Sequence, residues 1–361
     1  MPFEDVLFTD FNRKGASTQT GFERVRLYFE PDGSEYFTES RRRAVTRYFF
    51  GIPTNSGVSD YRVSGNHLWI GERRLGTVRH MTDDTCNSTY ARENGDVLVL
   101  NARSKSACRG CKFCHTFRQT PKDIYDIPDE DMVPKAIEEW LGGQEKADLS
   151  HVRQISILTG CFGGEQKVAE HLRLVRKASS RYGFKGELLY FGSEIRSEDA
   201  LKSLSDASPF GLCLSLECFY NREKILRREK ASLTLEQAKA VLSLSKEMGF
   251  TTCFSYVLGL ESLQAVSDGM KDFAPHITRI PVINIFQPHL PSQSKLLSPE
   301  ARSLEYFLDA RKMLESVFGS IGYKPNTWEN YRSPWYLKFG DEYLTGARVP
   351  SMDEHIARKH L

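Results

Sequence analysis

The chain lacks an excess of either charge: Lys and Arg number 49 against 47 Asp and Glu, a formal net charge of +2. Without a basic surplus there is no global field to hold a polyanion through counterion release, so a small-molecule or peptide substrate is favoured over nucleic acid. Long apolar runs are lacking too. Nothing approaches the roughly 18 consecutive apolar residues that a membrane span requires, and no membrane association is expected. The opening MPFEDVLFTDF carries acids early and no basic stretch ahead of an apolar one, which does not read as a secretory signal and leads to the expectation of a cytoplasmic protein. Cysteines are few, eight in 361 residues, and without export features they are expected as reduced thiols or metal ligands rather than a disulfide framework. Five are scattered, at 86, 161, 213, 218 and 253, whereas Cys108, Cys111 and Cys114 stand within seven residues. That clustering is the first non-random feature.

Residues 1–95 alternate short aromatic and β-branched runs with turn residues and predict a small β-rich region without a catalytic motif. From about residue 96 a strand-then-helix rhythm sets in, the mark of parallel βαβ units. Six nearly continuous apolar runs, as strands covered on both faces require, are predicted at 96–102, 152–160, 186–193, 211–217, 251–259 and 281–286. Helices are predicted between them, over 134–141, over 165–182 with Gly183 as its stop, and from the capping box of Thr234 and Gln237 to Met248. A last one opens at Ser298-Pro299. Such crossovers build either a doubly wound sheet or a barrel, and pattern alone does not choose.

The segment SACRGCKFCHTF follows the first of these strands, at the end where β/α proteins build their sites. Three thiolates on a Gly-containing loop can converge on one inorganic cluster, and a four-iron cube with three cysteine ligands keeps one iron open. Two other readings compete. Cys111 to His115 also matches CxxCH, the haem attachment pattern of exported proteins, which the third cysteine argues against. A structural zinc with His115 as fourth ligand is the stronger rival.

With its first strand followed by this triplet, the chain resembles the radical S-adenosylmethionine superfamily. The usual spacing there is CxxxCxxC, and this chain is one residue shorter in the first gap, so a tighter loop is expected. Phe113 before the last cysteine also resembles that family. The later strand ends resemble it in order. Gly163-Gly164-Glu165 looks like the Gly-Gly-Glu motif that meets the methionyl amino group. Ser215 and Glu217 alternate to one face, and the resemblance implies a carboxylate there for the ribose hydroxyls. Arg227 or Arg228 would pair the methionyl carboxylate. Gly259 corresponds to the adenine-side turn, and the backbone at Ile285 and Phe286 to the adenine contact.

The resemblance implies an α/β fold, a partial (β/α)6 TIM-like barrel over 96–320 preceded by the β-rich region and followed by a segment over 321–361. It implies a 4Fe-4S cluster held by Cys108, Cys111 and Cys114, S-adenosylmethionine as cofactor, and an electron donor such as flavodoxin or ferredoxin. The expected chemistry is reductive cleavage of S-adenosylmethionine to a 5'-deoxyadenosyl radical, which takes hydrogen from a polar small molecule. Cys161 and Glu194 are the candidate catalytic residues at the barrel mouth, with Ser193, Arg196 and His289 as candidate substrate contacts. The alternatives are a zinc- or cluster-stabilised binding module, and an RNA-modifying enzyme of the same chemistry, which would need a basic face.

Overall fold

The computed structural model describes residues 1–22, 24–33, 36–37, 47–55, 59–83, 90–92, 96–100, 110–114, 132–142, 148–158, 162–326 and 332–344. The chain forms two compact units, one of Met1–Thr85, Val257–Lys271 and Ile283–Leu361, the other of Cys86–Tyr256 and Asp272–Val282.

The first unit opens with a helix, α1 (Phe3–Lys14), where the sequence predicts only β structure. Its Leu7, Phe8 and Phe11 recur at helical spacing and are buried, while Glu4 and Asp5 stand in its first turn and Arg13 and Lys14 in its last, matching the helix dipole. Five antiparallel strands follow: β1 (Arg24–Pro31), β2 (Tyr48–Pro53), β3 (Tyr61–Ser64), β4 (His67–Ile70) and β5 (Arg73–Asp83), in the order β2-β1-β5-β4-β3. Ala16 bridges Thr54 just past β2, and Ser17 bridges Arg62 in β3. Both outer strands therefore find backbone partners in the segment after α1, which blunts their edges. Phe8 and Phe11 of α1 meet Phe50 of β2 and Tyr61 of β3 in ring contacts.

The parallel sheet uses β6 (Tyr90–Arg92), β7 (Val97–Leu100), β8 (Gln154–Leu158), β9 (Glu187–Gly192), β10 (Phe210–Glu217), β11 (Thr251–Leu258) and β12 (Val282–Ile285). Their order is β12-β11-β10-β9-β8-β7-β6. β7 to β12 form the six-stranded parallel sheet of a partial TIM-like barrel, and β6 lies antiparallel beside β7. The six predicted strands are all present, their bounds within two residues of those predicted, with β10 starting one residue earlier.

Helices α2 (Met132–Gly142), α3 (Glu165–Arg181) and α7 (Leu235–Glu247) connect them, along with the short α4 (Glu198–Lys202), α5 (Arg222–Ile225) and α6 (Arg228–Ala231). The α7 capping box forms, with Thr234 Oγ1 accepting from Gln237 N–H and the Gln237 side chain accepting from Thr234 N–H. One face of the sheet, Leu98, Leu100, Ile155, Ile157, Leu188, Tyr190 and Leu212, packs on Val133 and Ile137 of α2 and Val168, Leu172 and Val175 of α3. Each of these aliphatic side chains contributes about 1.5–3 kcal/mol on full burial.

Helix α8 (Leu263–Phe273) and helix α9 (Leu304–Gly319) follow, and beyond them Lys338–Phe339 pairs antiparallel with Glu342–Tyr343. Ser298-Pro299 does not open the last helix. That segment forms a 3-10 turn at Glu300–Arg302, and α9 starts at Leu304 because Ser303 Oγ accepts from Tyr306 N–H.

Candidate functional site

The site grows from three strand ends of the second unit. Beyond β7, the described part of the cysteine loop is Gly110 to Cys114; Cys108 and His115 lie outside the described residues, as do Cys86 and Cys161. Cys114 N–H donates to Cys111 O at 3.0 Å, a tight turn, and Lys112 N–H donates to Ile225 O at 2.9 Å, docking the loop onto α5. Arg227 N–H points at Cys111 Sγ from 3.5 Å. Burial pushes the Cys111 thiol up, while Lys230 and the Arg227 N–H pull it down. Two half-buried thiols on one turn, with an N–H and a cation directed at one of them, form a donor set suited to a metal or iron-sulfur cluster.

Beyond β8, Gly163 and Gly164 have φ of 81° and 151°, conformations that favour glycine. Their loop is strapped to the next strand end in both directions. Glu194, after β9, accepts from the N–H groups of Phe162, Gly163 and Gly164 at 2.8, 3.0 and 3.3 Å. Glu165, first residue of α3, accepts from Arg196 N–H and, at 2.6 Å, from Ser197 N–H. Both carboxylates stand out in the sequence but their exchange does not, because nothing in the spacing shows that two successive loops cap one another. Arg196 in turn donates to Ser193 O at 2.9 Å and Ser232 Oγ at 3.0 Å.

At the end of β10 the pairing with β11 shifts register between Ser215 and Glu217. Glu217 takes a φ of 70°, a strained position for a non-glycine residue. The kink carries its carboxylate to Lys230, 2.7 Å away, with the side chains 11% and 14% exposed. Burial alone would lower the Lys230 ammonium; the facing carboxylate outweighs it and holds it above its ordinary value. Arg222, also unforeseen, is buried and donates to the carbonyls of Leu216 at 2.7 Å and Cys218 at 2.6 Å, fixing the strand end. Of the two candidate arginines, Arg227 is buried and Arg228 exposed. Cys111, Arg227, Lys230 and Glu217 thus make one electrostatic group.

The remaining predicted residues belong to the first unit. Gly259 has a φ of 116°, and a Cβ there would lie 3.4 Å from Phe286 Cβ and 3.3 Å from the Phe307 ring. Phe286 N–H donates to Leu258 O at 2.8 Å and Ile285 N–H to Arg332 O at 2.8 Å. His289 Nε2 lies 2.7 Å from an Arg332 Nη. Since a guanidinium only donates, that nitrogen is placed as the acceptor.

No protein-family model matches the chain, and no curated protein matches it in sequence. Among solved structures, it is similar to the radical S-adenosylmethionine methyltransferase TsrM from Kitasatospora setae, at 13% identity and a TM-score of 0.37, over 52% of this chain and 36% of that one. It is also similar to coproporphyrinogen III oxidase HemN from Escherichia coli, a radical SAM enzyme, at 16% identity and 0.43, over 67% and 55%. A third is SuiB from Streptococcus suis, at 15% identity and 0.38, over 61% and 46%. The likenesses span about a third to about half of those chains.

Proposed function

We propose that the chain is a radical S-adenosylmethionine enzyme acting on a polar small molecule. The observation that carries this reading is the grouping of Cys111, on the loop beyond β7, with Glu217 at the end of β10 and Arg227 and Lys230 after it. Cys111 stands 116 residues from Arg227, and by sequence three of the four residues take separate roles, Cys111 in a cluster, Arg227 at the methionyl carboxylate and Glu217 at the ribose. In this reading Cys108, Cys111 and Cys114 hold a 4Fe-4S cluster. When bound, the cluster and S-adenosylmethionine supply a 5'-deoxyadenosyl radical, made by reductive cleavage of the sulfonium, that abstracts hydrogen from the substrate.

The chain's own residues bind and orient. Glu217 accepts from the ribose hydroxyls, with Ser215 beside it. Arg227, buried next to the cysteine loop, pairs the methionyl carboxylate in preference to the exposed Arg228. Gly163 and Gly164 let backbone approach the methionyl end, with Glu165 and Glu194 fixing their loop. Gly259, Ile285 and Phe286 serve the adenine side. Glu194 then acts by positioning, and Cys161 remains the candidate hydrogen donor to a product radical. An electron donor of the flavodoxin or ferredoxin type supplies the reducing equivalent.

The test is anaerobic reconstitution followed by metal analysis and product assay. Iron and sulfide near four each per chain, with 5'-deoxyadenosine formed after reduction, is the expected result. Alanine at Cys111 or Cys114 should abolish both. One zinc per chain, lost equally on His115→Ala, would replace the reading with a structural zinc module.

A further inference from the structure

The face of the parallel sheet turned away from α2 and α3 carries side chains in layers. At the N-terminal ends of the strands Gln154 Nε2 donates to Glu187 at 2.7 Å, Ser156 Oγ donates to Gln154 Oε1 at 3.2 Å, and Thr251 Oγ1 donates to the other Glu187 oxygen. This bridge passes over Gly211 of β10, where a Cβ would come within 2.6 Å of Thr251 Oγ1. The layer is polar and its members partner one another. Above it stand Leu189, Cys213, Cys253 and Val282, with Phe191 packed against them.

Two residues further along β10 and β11, and so on the same face, come Ser215 and Ser255. They are directly paired in register. Both are buried, Ser215 3% and Ser255 0% exposed, and Ser255 Oγ has no hydrogen-bond partner among the described residues. Above them Glu217 is held by Lys230. The lower polar layer shows how this sheet treats a structural hydroxyl: it gives it a partner. Ser255 departs from that rule at the strand ends where β/α folds bind ligands.

We propose that Ser255, together with Ser215, receives a carbonyl oxygen of the organic substrate. Neighbouring strands lie about 4.8 Å apart. Two hydroxyls at that separation can both donate, each across roughly 2.7 Å, to the two lone pairs of one oxygen. Lys230, the cation beside Glu217 at the end of β10, is committed to that carboxylate, so the pair matches a neutral carbonyl rather than an ionised carboxylate or phosphate. The layer of Leu189, Phe191, Cys213, Cys253 and Val282 beneath would take the hydrocarbon attached to it. The inference rests on the radical reading above, which makes these strand ends the substrate's side.

Two measurements test it. The first is thermal melting of the full chain without substrate. Ser255→Ala deletes an unmet buried hydroxyl and is expected to raise the melting temperature by about 2 °C, whereas Ser156→Ala, which deletes a satisfied one, is expected to lower it. A fall for Ser255→Ala like that for Ser156→Ala would make the hydroxyl structural and overturn the proposal. The second uses the reconstituted enzyme, reduced with dithionite, with S-adenosylmethionine and a perdeuterated polar metabolite extract; the readout is the fraction of 5'-deoxyadenosine that carries deuterium. Ser255→Ala is expected to cut that fraction about tenfold, and Ser255→Thr, which keeps the hydroxyl, to restore most of it. An unchanged fraction in Ser255→Ala, or no label in the wild type despite 5'-deoxyadenosine formation, counts against the carbonyl assignment. Wild-type protein that forms no 5'-deoxyadenosine at all sinks the radical reading itself, and the melting comparison still reports separately on the hydroxyl.

Discussion

A single backbone angle shapes the centre of the site. At φ 70° Glu217 sits where an L residue pays about 1–2 kcal/mol, and the strain persists because the ion pair with Lys230 and the Arg222 bonds to Leu216 O and Cys218 O surround it. Glycine would relieve the strain but lose the carboxylate, so chemistry rather than conformation explains the residue. Lys230→Met leaves that carboxylate nearly buried without its cation and is expected to cost about 3–5 kcal/mol by urea unfolding. Adding Glu217→Gln to it should recover most of the loss, since the pair pays its desolvation jointly. Strict additivity of the two single changes would mean that they do not interact. That Cys111 and Cys114 share one turn was legible in the sequence because spacing alone reports it. Lys230 was not, because its partnership depends on a kink that no residue pattern announces, and within LRREK it reads as one more solvated charge.

Elements were legible where burial leaves a periodic trace. The parallel strands show as unbroken apolar runs because helices or other strands cover both faces, and the α7 capping box reads directly from Thr234 and Gln237. Helix α1 was missed since its acids and aromatics sit in a segment short enough to pass for a strand, and the start of α9 was misplaced because Ser298-Pro299 and Ser303 both carry helix-start chemistry five residues apart. What the sequence hides is how one loop holds the next. Glu194 accepts from three consecutive N–H groups ahead of α3, a negative charge at a helix N-terminus that has no side-chain cap of its own. Glu194→Ala is therefore expected to speed amide exchange at Phe162, Gly163 and Gly164 well beyond that of the α3 interior, by hydrogen-deuterium exchange. Glu165→Ala should do the same at Arg196 and Ser197. Exchange unchanged at both loops would show that backbone geometry, not the carboxylates, sets their order.

At the scale of the molecule, segments far apart in sequence meet in the first unit. The N-terminal helix and the segment 332–344 belong to it, and a buried ionic group ties them. Asp5 accepts from Tyr336 N–H at 2.8 Å and Leu337 N–H at 3.1 Å, and pairs with Arg311 of α9 at 2.7 Å, both side chains being all but fully buried. Arg311 further donates to Pro334 O at 3.2 Å and to Glu315 at 2.8 Å. Nothing in the sequence hints at this, for the partners stand about 300 residues apart and a buried Arg looks like any surface Arg until its carbonyl acceptors are in place. The desolvation of two ions makes such a pair weak evidence of net stability, yet removing one partner strands the other. Arg311→Met should therefore cost about 3–5 kcal/mol, whereas Asp5→Asn combined with Arg311→Met should cost less than the single change, because the amide oxygen still accepts a backbone N–H and position 5 no longer holds a fully buried unmatched charge. Glu315 is partly exposed and keeps its bond from Trp335 Nε1. Calorimetry of both variants checks this. A double variant less stable than Arg311→Met would mean that Asp5 acts through its backbone partners and not through the guanidinium.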